Sequence, residues 1–234
     1  MDEIISAPST NFDARAAPVS ILVLHYTGMT DAASAIAWLR NPASKVSSHY
    51  VVAEDGQVLR LVDEGNRAWH AGRSSWREVT EDVNSASVGI EIVNPGHEFG
   101  YRPFPNAQMR SLIPLVAEIV ARHRIEPINV VGHSDIAPAR KIDPGELFDW
   151  EALASRGLAI PRPKRATMDP HWTNPGFLLA LNRFGYDVAD GPAAVRAFQR
   201  RFRPENVDGI IDGQSRAVLL SLLLDRERQT ATRR

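Results

Sequence analysis

Strand-sized apolar segments alternate with segments of helical periodicity along the first 160 residues of this 234-residue chain. The run Ile21-Leu22-Val23-Leu24 lies within residues 19–26, which are β-branched and apolar as in a buried strand. Residues 106–124 instead repeat leucine, isoleucine and valine at helical spacing. Strands that alternate with helices predict an α/β layer fold. No apolar run approaches the roughly 18 residues of a membrane-spanning helix.

A hairpin and three further elements complete the predicted α/β part. Residues 49–53 and 57–62 flank the turn signal Asp55-Gly56, which predicts a β-hairpin. The other predicted elements are strands at 87–93 and 129–132 and a short helix at 31–39. Pro114 lies inside the periodic segment 106–124, so that helix is expected either to kink there or to begin later.

The character of the sequence changes near residue 160, where Ile-Pro-Arg-Pro-Lys-Arg indicates a linker. Beyond it, three segments with helical spacing, at 175–184, 192–202 and 214–224, predict a small all-α domain. The predicted division is an arm at 1–18, a main domain at 19–160, a linker at 161–172, a three-helix domain at 173–228 and a frayed tail at 229–234. The basic run Arg200, Arg201 and Arg203 is expected to form a solvated helix face.

Composition limits the possible chemistry. Cysteine is absent, which excludes disulfides, thiol nucleophiles, iron–sulfur clusters and cysteine-ligated zinc. Any metal must therefore be held by histidine and carboxylate. The formal net charge is −1, which gives no bulk field to attract nucleic acid or anionic lipid, so neither partner is expected.

The start of the chain lacks the pattern of a secretory signal. It begins Met-Asp-Glu-Ile-Ile-Ser-Ala-Pro, which is acidic and reaches a proline after two isoleucines. A signal peptide needs a basic start and a longer apolar stretch. A cytoplasmic location is expected, with a periplasmic location as the alternative.

Two histidines follow predicted strands directly. His25 ends the first buried strand and His133 follows the strand at 129–132. Ligands of α/β proteins bind beyond the carboxyl ends of the strands. Two imidazoles and one carboxylate make a zinc site with an open fourth position, and a zinc-bound water has a pKa near 7.

Two carboxylates qualify as the third ligand on spacing alone. Asp135 is two residues beyond His133, and Asp143 is ten residues beyond it across a loop. A hydrolase also needs a general base, and Glu91 is a candidate because a carboxylate within a buried strand is costly without a purpose. Lys141 is a candidate for stabilising a developing oxyanion.

Five motifs, in this order, resemble those of the zinc-dependent N-acetylmuramoyl-L-alanine amidases, a family related to peptidoglycan recognition proteins. They are Leu24-His25-Tyr26-Thr27, Ser48-His49-Tyr50-Val51-Val52, Ala68-Trp69-His70-Ala71-Gly72, Gly89-Ile90-Glu91-Ile92-Val93-Asn94 and the segment from Gly132 to Gly145 that contains Ala139-Arg140-Lys141-Ile142-Asp143-Pro144. The resemblance covers about residues 15–160. The C-terminal part, with Asn182-Arg183-Phe184-Gly185-Tyr186 and Val207-Asp208-Gly209, is similar to the three-helix peptidoglycan-binding domain often joined to such enzymes. The implied fold class is α/β, a mixed sheet flanked by helices, with a second, small three-helix domain.

The resemblance also implies a ligand set. It assigns His25, His133 and Asp143 as zinc ligands, and so decides for Asp143 over Asp135. Asp135 is then a residue of the outer shell that orients the ligand loop. Relatives sometimes use cysteine as the third ligand, whereas this chain has aspartate there.

The implied reaction is hydrolysis of the amide between the lactyl group of N-acetylmuramic acid and L-alanine. Glu91 is the implied general base and Lys141 the implied oxyanion stabiliser. Trp69, His70 and Asn94 lie within the motifs and are predicted to contact the substrate.

The expected partners are peptidoglycan fragments, chiefly soluble 1,6-anhydro-muropeptides met in cell wall recycling, and a monomer is favoured. Two alternatives differ in function: a non-catalytic peptidoglycan-recognition module, and an exported amidase that acts on polymeric peptidoglycan. The complete set of ligands together with Glu91 and Lys141 favours an enzyme over a recognition module.

Overall fold

A six-stranded mixed β-sheet forms the centre of the molecule in the computed structural model, which describes residues 4–232. The strands are β1 (Ile5–Ser6), β2 (Phe12–Ala14), β3 (Ile21–Tyr26), β4 (Tyr50–Val52), β5 (Val58–Arg60), β6 (Asn66–Ala68), β7 (Ser87–Ile92) and β8 (Val130–Gly132). The sheet order is β1-β5-β4-β7-β3-β8, while β2 and β6 form a separate antiparallel pair. Pairing is parallel throughout the six-stranded sheet except between β4 and β5, the predicted hairpin.

Helices cover both faces of this sheet. They are α1 (Ala32–Arg40), α2 (Val83–Ala86), α3 (Gly96–Phe99), α4 (Asn106–His123), α5 (His133–Ile136), α6 (Trp150–Ala154), α7 (Asn174–Phe184), α8 (Gly191–Phe202) and α9 (Gly213–Thr232). The predicted α/β class, with a mixed sheet flanked by helices and a three-helix C-terminal part, is confirmed. The short helices α2, α3, α5 and α6 were not predicted, because four or five residues carry too little periodicity to be recognised.

Helix α4 covers one face of the sheet. Its apolar side packs on the alternate residues Leu22 and Leu24 of β3 and on their neighbours in β7. The helix runs without interruption through Pro114, so the later start allowed by the sequence is wrong.

The opposite face of the sheet is covered in two parts. Helix α1, which is capped by Asp31, packs with Leu39 above β4, where Val51 is buried. The C-terminal helices pack at the other end, where Ile21 and Val23 share a continuous apolar core with Phe177. The carboxyl ends of β3, β7 and β8 lie between these two coverings.

The C-terminal helices begin close to the predicted positions. Helix α9 continues to Thr232, beyond the predicted start of the tail at residue 229, and the last two residues of that tail lie outside the described residues. The basic run is also not a solvated face. Arg201 and Arg203 are buried, and Arg200 is half-buried. The cause is tertiary: acidic groups and a backbone carbonyl on neighbouring segments accept hydrogen bonds from Arg201 and Arg203.

The predicted N-terminal arm is tied into the sheet. Residues 1–3 of this arm lie outside the described residues, and beyond them β1 pairs with β5 and β2 with β6. Arg15 then inserts its guanidinium between loops and donates to the carbonyls of Asn66 and Ser87 at 2.6 and 2.9 Å. The hydrogen bonds of one half-buried side chain thus anchor the arm at the start of β7. No helix within residues 4–232 is long and apolar enough to cross a membrane.

Candidate active site

Three side chains predicted as metal ligands meet at the carboxyl ends of the central strands. His25 Nδ1 lies 2.9 Å from His133 Nδ1, and Asp143 Oδ2 lies 3.1 and 3.0 Å from these two nitrogens. All three residues are buried and form a group that could hold a metal ion. Asp135, the competing carboxylate, does not belong to this group.

The sheet places the first histidine. His25 is the fifth residue of β3, on the face where Ile21 and Val23 join the core shared with the C-terminal helices. Its partner in the parallel register of β7 is Glu91. Register partners point to the same face of a sheet, so Glu91 and His25 lie side by side.

A close approach of two loops brings His133 and Asp143 together. Gly132 precedes His133, and a Cβ there would lie 2.6 Å from Pro144 Cδ. Only glycine therefore lets the ligand-bearing turn pack against the Asp143-Pro144 segment. The amide of Ser134 donates to the carbonyl of Asp143 at 2.9 Å, which fixes the two segments together.

The electrostatics of the cluster suit cation binding. Burial, followed by the neighbouring His133, lowers the pKa of His25 to about 4, which keeps the imidazole neutral near pH 7. Burial alone acts to raise the pKa of Asp143, but the adjacent His133 and His25 outweigh it and the pKa is lowered. Two imidazole nitrogens and one carboxylate are a ligand set that zinc accepts.

A chain of polar groups fixes the ring of His25 from behind. Its Nε2 lies 3.0 Å from His70 Nδ1, and His70 Nε2 lies 3.3 Å from Ser87 Oγ, which donates to the carbonyl of Val83 at 2.6 Å. When His25 offers Nδ1 to the cluster, its Nε2 carries the hydrogen and donates it to His70. His70, predicted to contact substrate, is buried and orients a ligand in this way.

His133 is held in the same manner. Its Nε2 lies 3.2 Å from the carbonyl oxygen of Ala71, to which it can donate when Nδ1 faces the cluster. Both histidines thus use Nδ1 toward the cluster and Nε2 toward the protein.

Glu91 provides a carboxylate with unused hydrogen-bonding capacity. Its Oε2 is buried and has no hydrogen-bond partner among the described residues. Burial, and secondly the negative charge of Asp143, raise its pKa well above the ordinary value for glutamate. A buried, unpaired carboxyl oxygen is costly, and such groups are concentrated at functional sites.

A cleft of about 380 Å³ opens over the cluster. Lys141 lines it together with Glu91, His70 and the three clustered residues. The indole of Trp69 lines it too, and its Nε1 donates to Asp13 Oδ2 at 2.6 Å. Trp38 of α1, which the sequence analysis missed, also lines the cleft and is 49% exposed. Its position away from the apolar face that includes Leu39 was the signal that could have identified it.

Two predicted site residues, Asn94 and Asp135, are not among the residues that line this cleft. The side-chain amide of Asn94 donates to the carbonyl of Arg102 at 2.8 Å, and Asn94 Oδ1 accepts from Gly96 N. The side chain of Asn94 thus shapes the loop, and its contact with substrate stays a prediction. Asp135 lies beneath the turn that carries His133 and accepts from Gly132 N at 2.8 Å.

The arrangement can carry out hydrolysis at a metal ion. Three ligands on one side leave the cleft side of the cluster free for a substrate carbonyl and a water. An unpaired carboxylate and an ammonium group face the same space. These are the requirements for a base and for a stabiliser of negative charge.

Comparisons with known proteins agree with the family resemblance of the sequence motifs. The profile of the family N-acetylmuramoyl-L-alanine amidase matches residues 15–146. The N-acetylmuramoyl-L-alanine amidase AmiD of Escherichia coli (strain K12) is 39% identical over 231 residues, which cover 88% of this chain and 82% of AmiD. The 1,6-anhydro-N-acetylmuramyl-L-alanine amidase AmpD of Haemophilus influenzae is 33% identical over 167 residues, which cover 63% of this chain and 88% of AmpD.

Solved structures agree over most of the chain. A complex of E. coli AmiD with anhydro-N-acetylmuramic acid-L-Ala-D-gamma-Glu-L-Lys superimposes with a TM-score of 0.79 at 37% identity, covering 91% of this chain and 92% of AmiD. AmpDh3 of Pseudomonas aeruginosa in complex with anhydromuramic pentapeptide gives 0.70 at 33% identity, covering 86% of this chain and 90% of AmpDh3. The chain belongs to the N-acetylmuramoyl-L-alanine amidase family, as its sequence motifs predict.

Proposed function

We propose that this chain is a zinc-dependent amidase that hydrolyses the bond between N-acetylmuramic acid, in its 1,6-anhydro form, and the L-alanine of a stem peptide. The observation that carries the proposal is the juxtaposition at one cleft of the three-residue cluster and the unpaired carboxyl oxygen of Glu91. Family membership supplies the reaction class.

The three side chains fit zinc. Ligands about 2.05 Å from a tetrahedral ion lie about 3.3 Å apart, and the donor atoms here are 2.9–3.1 Å apart. His25, His133 and Asp143 would hold the ion, and Glu91, whose Oε2 has no hydrogen-bond partner among the described residues, lines the same cleft. When bound, zinc supplies Lewis acidity toward the amide carbonyl and makes water a competent nucleophile near neutral pH.

Glu91 transfers the proton in the proposed mechanism, and Lys141 stabilises the negative charge that develops on the substrate. The carboxylate of Glu91 accepts a proton from the attacking water and later delivers it to the departing amine of L-alanine. The same carboxyl group holds that proton between the two steps. The ammonium of Lys141 stabilises the negative charge that develops on the carbonyl oxygen.

The substrate class is inferred from relatives. The AmiD and AmpDh3 complexes contain anhydromuramyl peptides, and these two proteins match more than 85% of this chain. Trp69 and the exposed Trp38 border the cleft and give it apolar surfaces against which a sugar ring or stem peptide can pack.

The three C-terminal helices are proposed to form a peptidoglycan-binding domain spanning residues 173–228. The support is the similarity of their sequence, including Asn182-Arg183-Phe184-Gly185-Tyr186 and Val207-Asp208-Gly209, to such domains.

The test offers the purified, zinc-loaded protein two substrates in parallel: anhydromuramyl-tripeptide and intact sacculi. Release of free tripeptide from the small substrate is the expected result. Release from sacculi alone would contradict the anhydro assignment and favour a polymer-directed amidase. Binding to sacculi without release from either substrate would favour a recognition module.

The variants Asp143→Ala and His25→Ala serve as controls. Each removes one of three ligands and is expected to abolish both stoichiometric zinc and peptide release. Full zinc occupancy in either purified variant, measured by atomic absorption, would contradict the ligand assignment.

A further inference from the structure

Arg201 of α8 reaches out of the C-terminal helices to the segment that carries His133. Its Nη1 donates to Asp135 Oδ2 at 2.7 Å and its Nη2 donates to the carbonyl of Val130 at 2.9 Å. The guanidinium carbon lies 4.0 Å from the centre of the Trp150 ring. The side chain is only 4% exposed. One arginine therefore links strand β8 to the helical turn α5 that follows it.

Asp135, beneath the turn, accepts hydrogen bonds from three groups. Its Oδ2 accepts from Gly132 N as well as from Arg201, and its Oδ1 accepts from the hydroxyl of Tyr186 at 2.6 Å. Asp135 is 1% exposed. Two of its three partners belong to the C-terminal helical part, and the third is the residue before a metal ligand.

The turn needs outside support. Helix α5 has four residues, His133–Ile136, and one turn of helix is not stable by itself. Gly132 directly precedes His133 and Asp135 lies two residues after it, and the network described above fixes both residues.

We propose that Arg201 and Tyr186 are positioning residues for the metal centre, and that they act through Asp135 on the ring of His133. The C-terminal helices then have a part in zinc binding that is separate from any contact with peptidoglycan. This inference rests on the proposed zinc site. It assigns no direct contact with zinc or substrate to either residue.

The C-terminal helices do not need these polar groups in order to stay attached to the sheet. The apolar contacts of Phe177 and Phe198 with the sheet side of the molecule already join the two parts. A buried ion pair loses hydration and adds little net stability compared with apolar packing. Hydrogen bonds to a carboxylate and a carbonyl are directional, so their contribution here is orientation.

Arg203, at the same end of helix α8 as Arg201, provides a matched control. Arg203 follows the last residue of α8, is 1% exposed, and pairs with Asp208 and Asp212 of its own helical part. We expect removal of Arg203 to disturb the C-terminal part while leaving the contacts of Asp135 and the turn of His133 in place.

The experiment compares Tyr186→Phe, Arg201→Met and Arg203→Met in the full chain. Zinc affinity is measured by competition with a chromophoric chelator, well below the unfolding temperature of each apo-protein. Loss of outer-shell partners typically weakens metal binding about 10–100-fold, and we expect that range for Arg201→Met and Tyr186→Phe. Arg203→Met is expected to lower the apo unfolding temperature and leave the zinc dissociation constant unchanged.

The cobalt-substituted proteins add a spectroscopic readout. The visible absorption of Co²⁺ depends on ligand geometry, so it should change in Tyr186→Phe and Arg201→Met and match the parent protein in Arg203→Met. Wild-type zinc affinity and cobalt spectrum in both test variants would overturn the proposal. If Arg201→Met does not fold, Tyr186→Phe, which removes one hydroxyl, decides alone. Retention of zinc by His25→Ala would instead refute the proposed metal site.

Discussion

Glu91 lies opposite His25 in the parallel pairing of β7 with β3, so the proposed base and a proposed metal ligand are neighbours on one face of the sheet. Their relative position is set by backbone hydrogen bonds of two buried strands rather than by a loop. Sites built on strands keep their geometry more precisely than sites on loops. This pairing explains how a carboxylate is held beside the cluster without a hydrogen-bond partner for its Oε2 within the described residues.

The first prediction concerns Glu91. Glu91→Gln keeps the size of the side chain and removes the base, so kcat should fall about 10²–10⁴-fold. Zinc content should stay stoichiometric, because Glu91 is outside the ligand cluster. Peptide release from anhydromuramyl-tripeptide and metal analysis on the same sample check both statements. Normal turnover by Glu91→Gln or by Glu91→Ala would show that another group is the base.

The second prediction concerns Lys141. Its ammonium lines the cleft beside Asp143, where charge develops on the carbonyl oxygen in the proposed mechanism. Lys141→Met retains most of the side-chain length and loses the charge, so kcat should fall about 10²–10³-fold with little change in KM. Steady-state kinetics on the tripeptide substrate check that kcat falls while KM changes little. A raised KM with unchanged kcat would assign Lys141 to ground-state binding instead.

The sequence predicted the parts of the site that depend on local patterns. His25 and His133 were identified because each directly follows a run of buried apolar residues. The choice between Asp135 and Asp143 could not be made from spacing, because both lie on a segment whose path depends on contacts with distant residues. The structure separates them: Asp143 joins the cluster and Asp135 supports the turn.

The sequence analysis missed the burial of the basic run for one physical reason. Arg201 and Arg203 were assigned to solvent by residue type, yet both donate to carboxylates, and Arg201 also donates to the carbonyl of Val130. His70 and Asn94 were assigned to substrate because they lie in family motifs. The structure adds that their hydrogen bonds serve His25 and a loop, respectively, and contact with substrate stays a prediction for both. The hydrogen-bond partners Asp135, for Arg201, and His25, for His70, lie 45 or more residues away along the chain, beyond any window that periodicity examines.

The third prediction concerns Gly89. A Cβ at this position of β7 would lie 2.5 Å from Cγ of His70, so only glycine admits the ring that orients His25. Gly89→Ala should cost about 1–3 kcal/mol of stability through overpacking. It should also weaken zinc binding, because the displaced His70 ring no longer accepts the hydrogen of His25 Nε2.

A double-variant cycle checks this steric cause. In a His70→Ala background, Gly89→Ala meets no imidazole ring, so its cost measured by urea unfolding should largely disappear. Additive losses in the double variant would mean that Gly89 acts through its backbone freedom and not through His70.

The last prediction concerns the pH dependence of stability, at a histidine away from the metal cluster. His49 Nδ1 accepts a hydrogen bond from Gly89 N at 2.9 Å, so this nitrogen carries no proton in the folded state. Burial chiefly lowers the pKa of His49 from 6.5 to about 4. The unfolded chain therefore binds a proton first as the pH falls, and the folded state loses stability between pH 6.5 and pH 4. The loss due to this one group is on the order of 3 kcal/mol.

Urea unfolding with excess chelator at pH 7 and pH 4.5 measures this loss of stability, with His49→Gln as the comparison. The variant should be less stable at pH 7, and its deficit should shrink at pH 4.5, because only the parent still has the proton-linked penalty of His49. A deficit that is the same at both pH values would show that His49 does not contribute to the acid sensitivity.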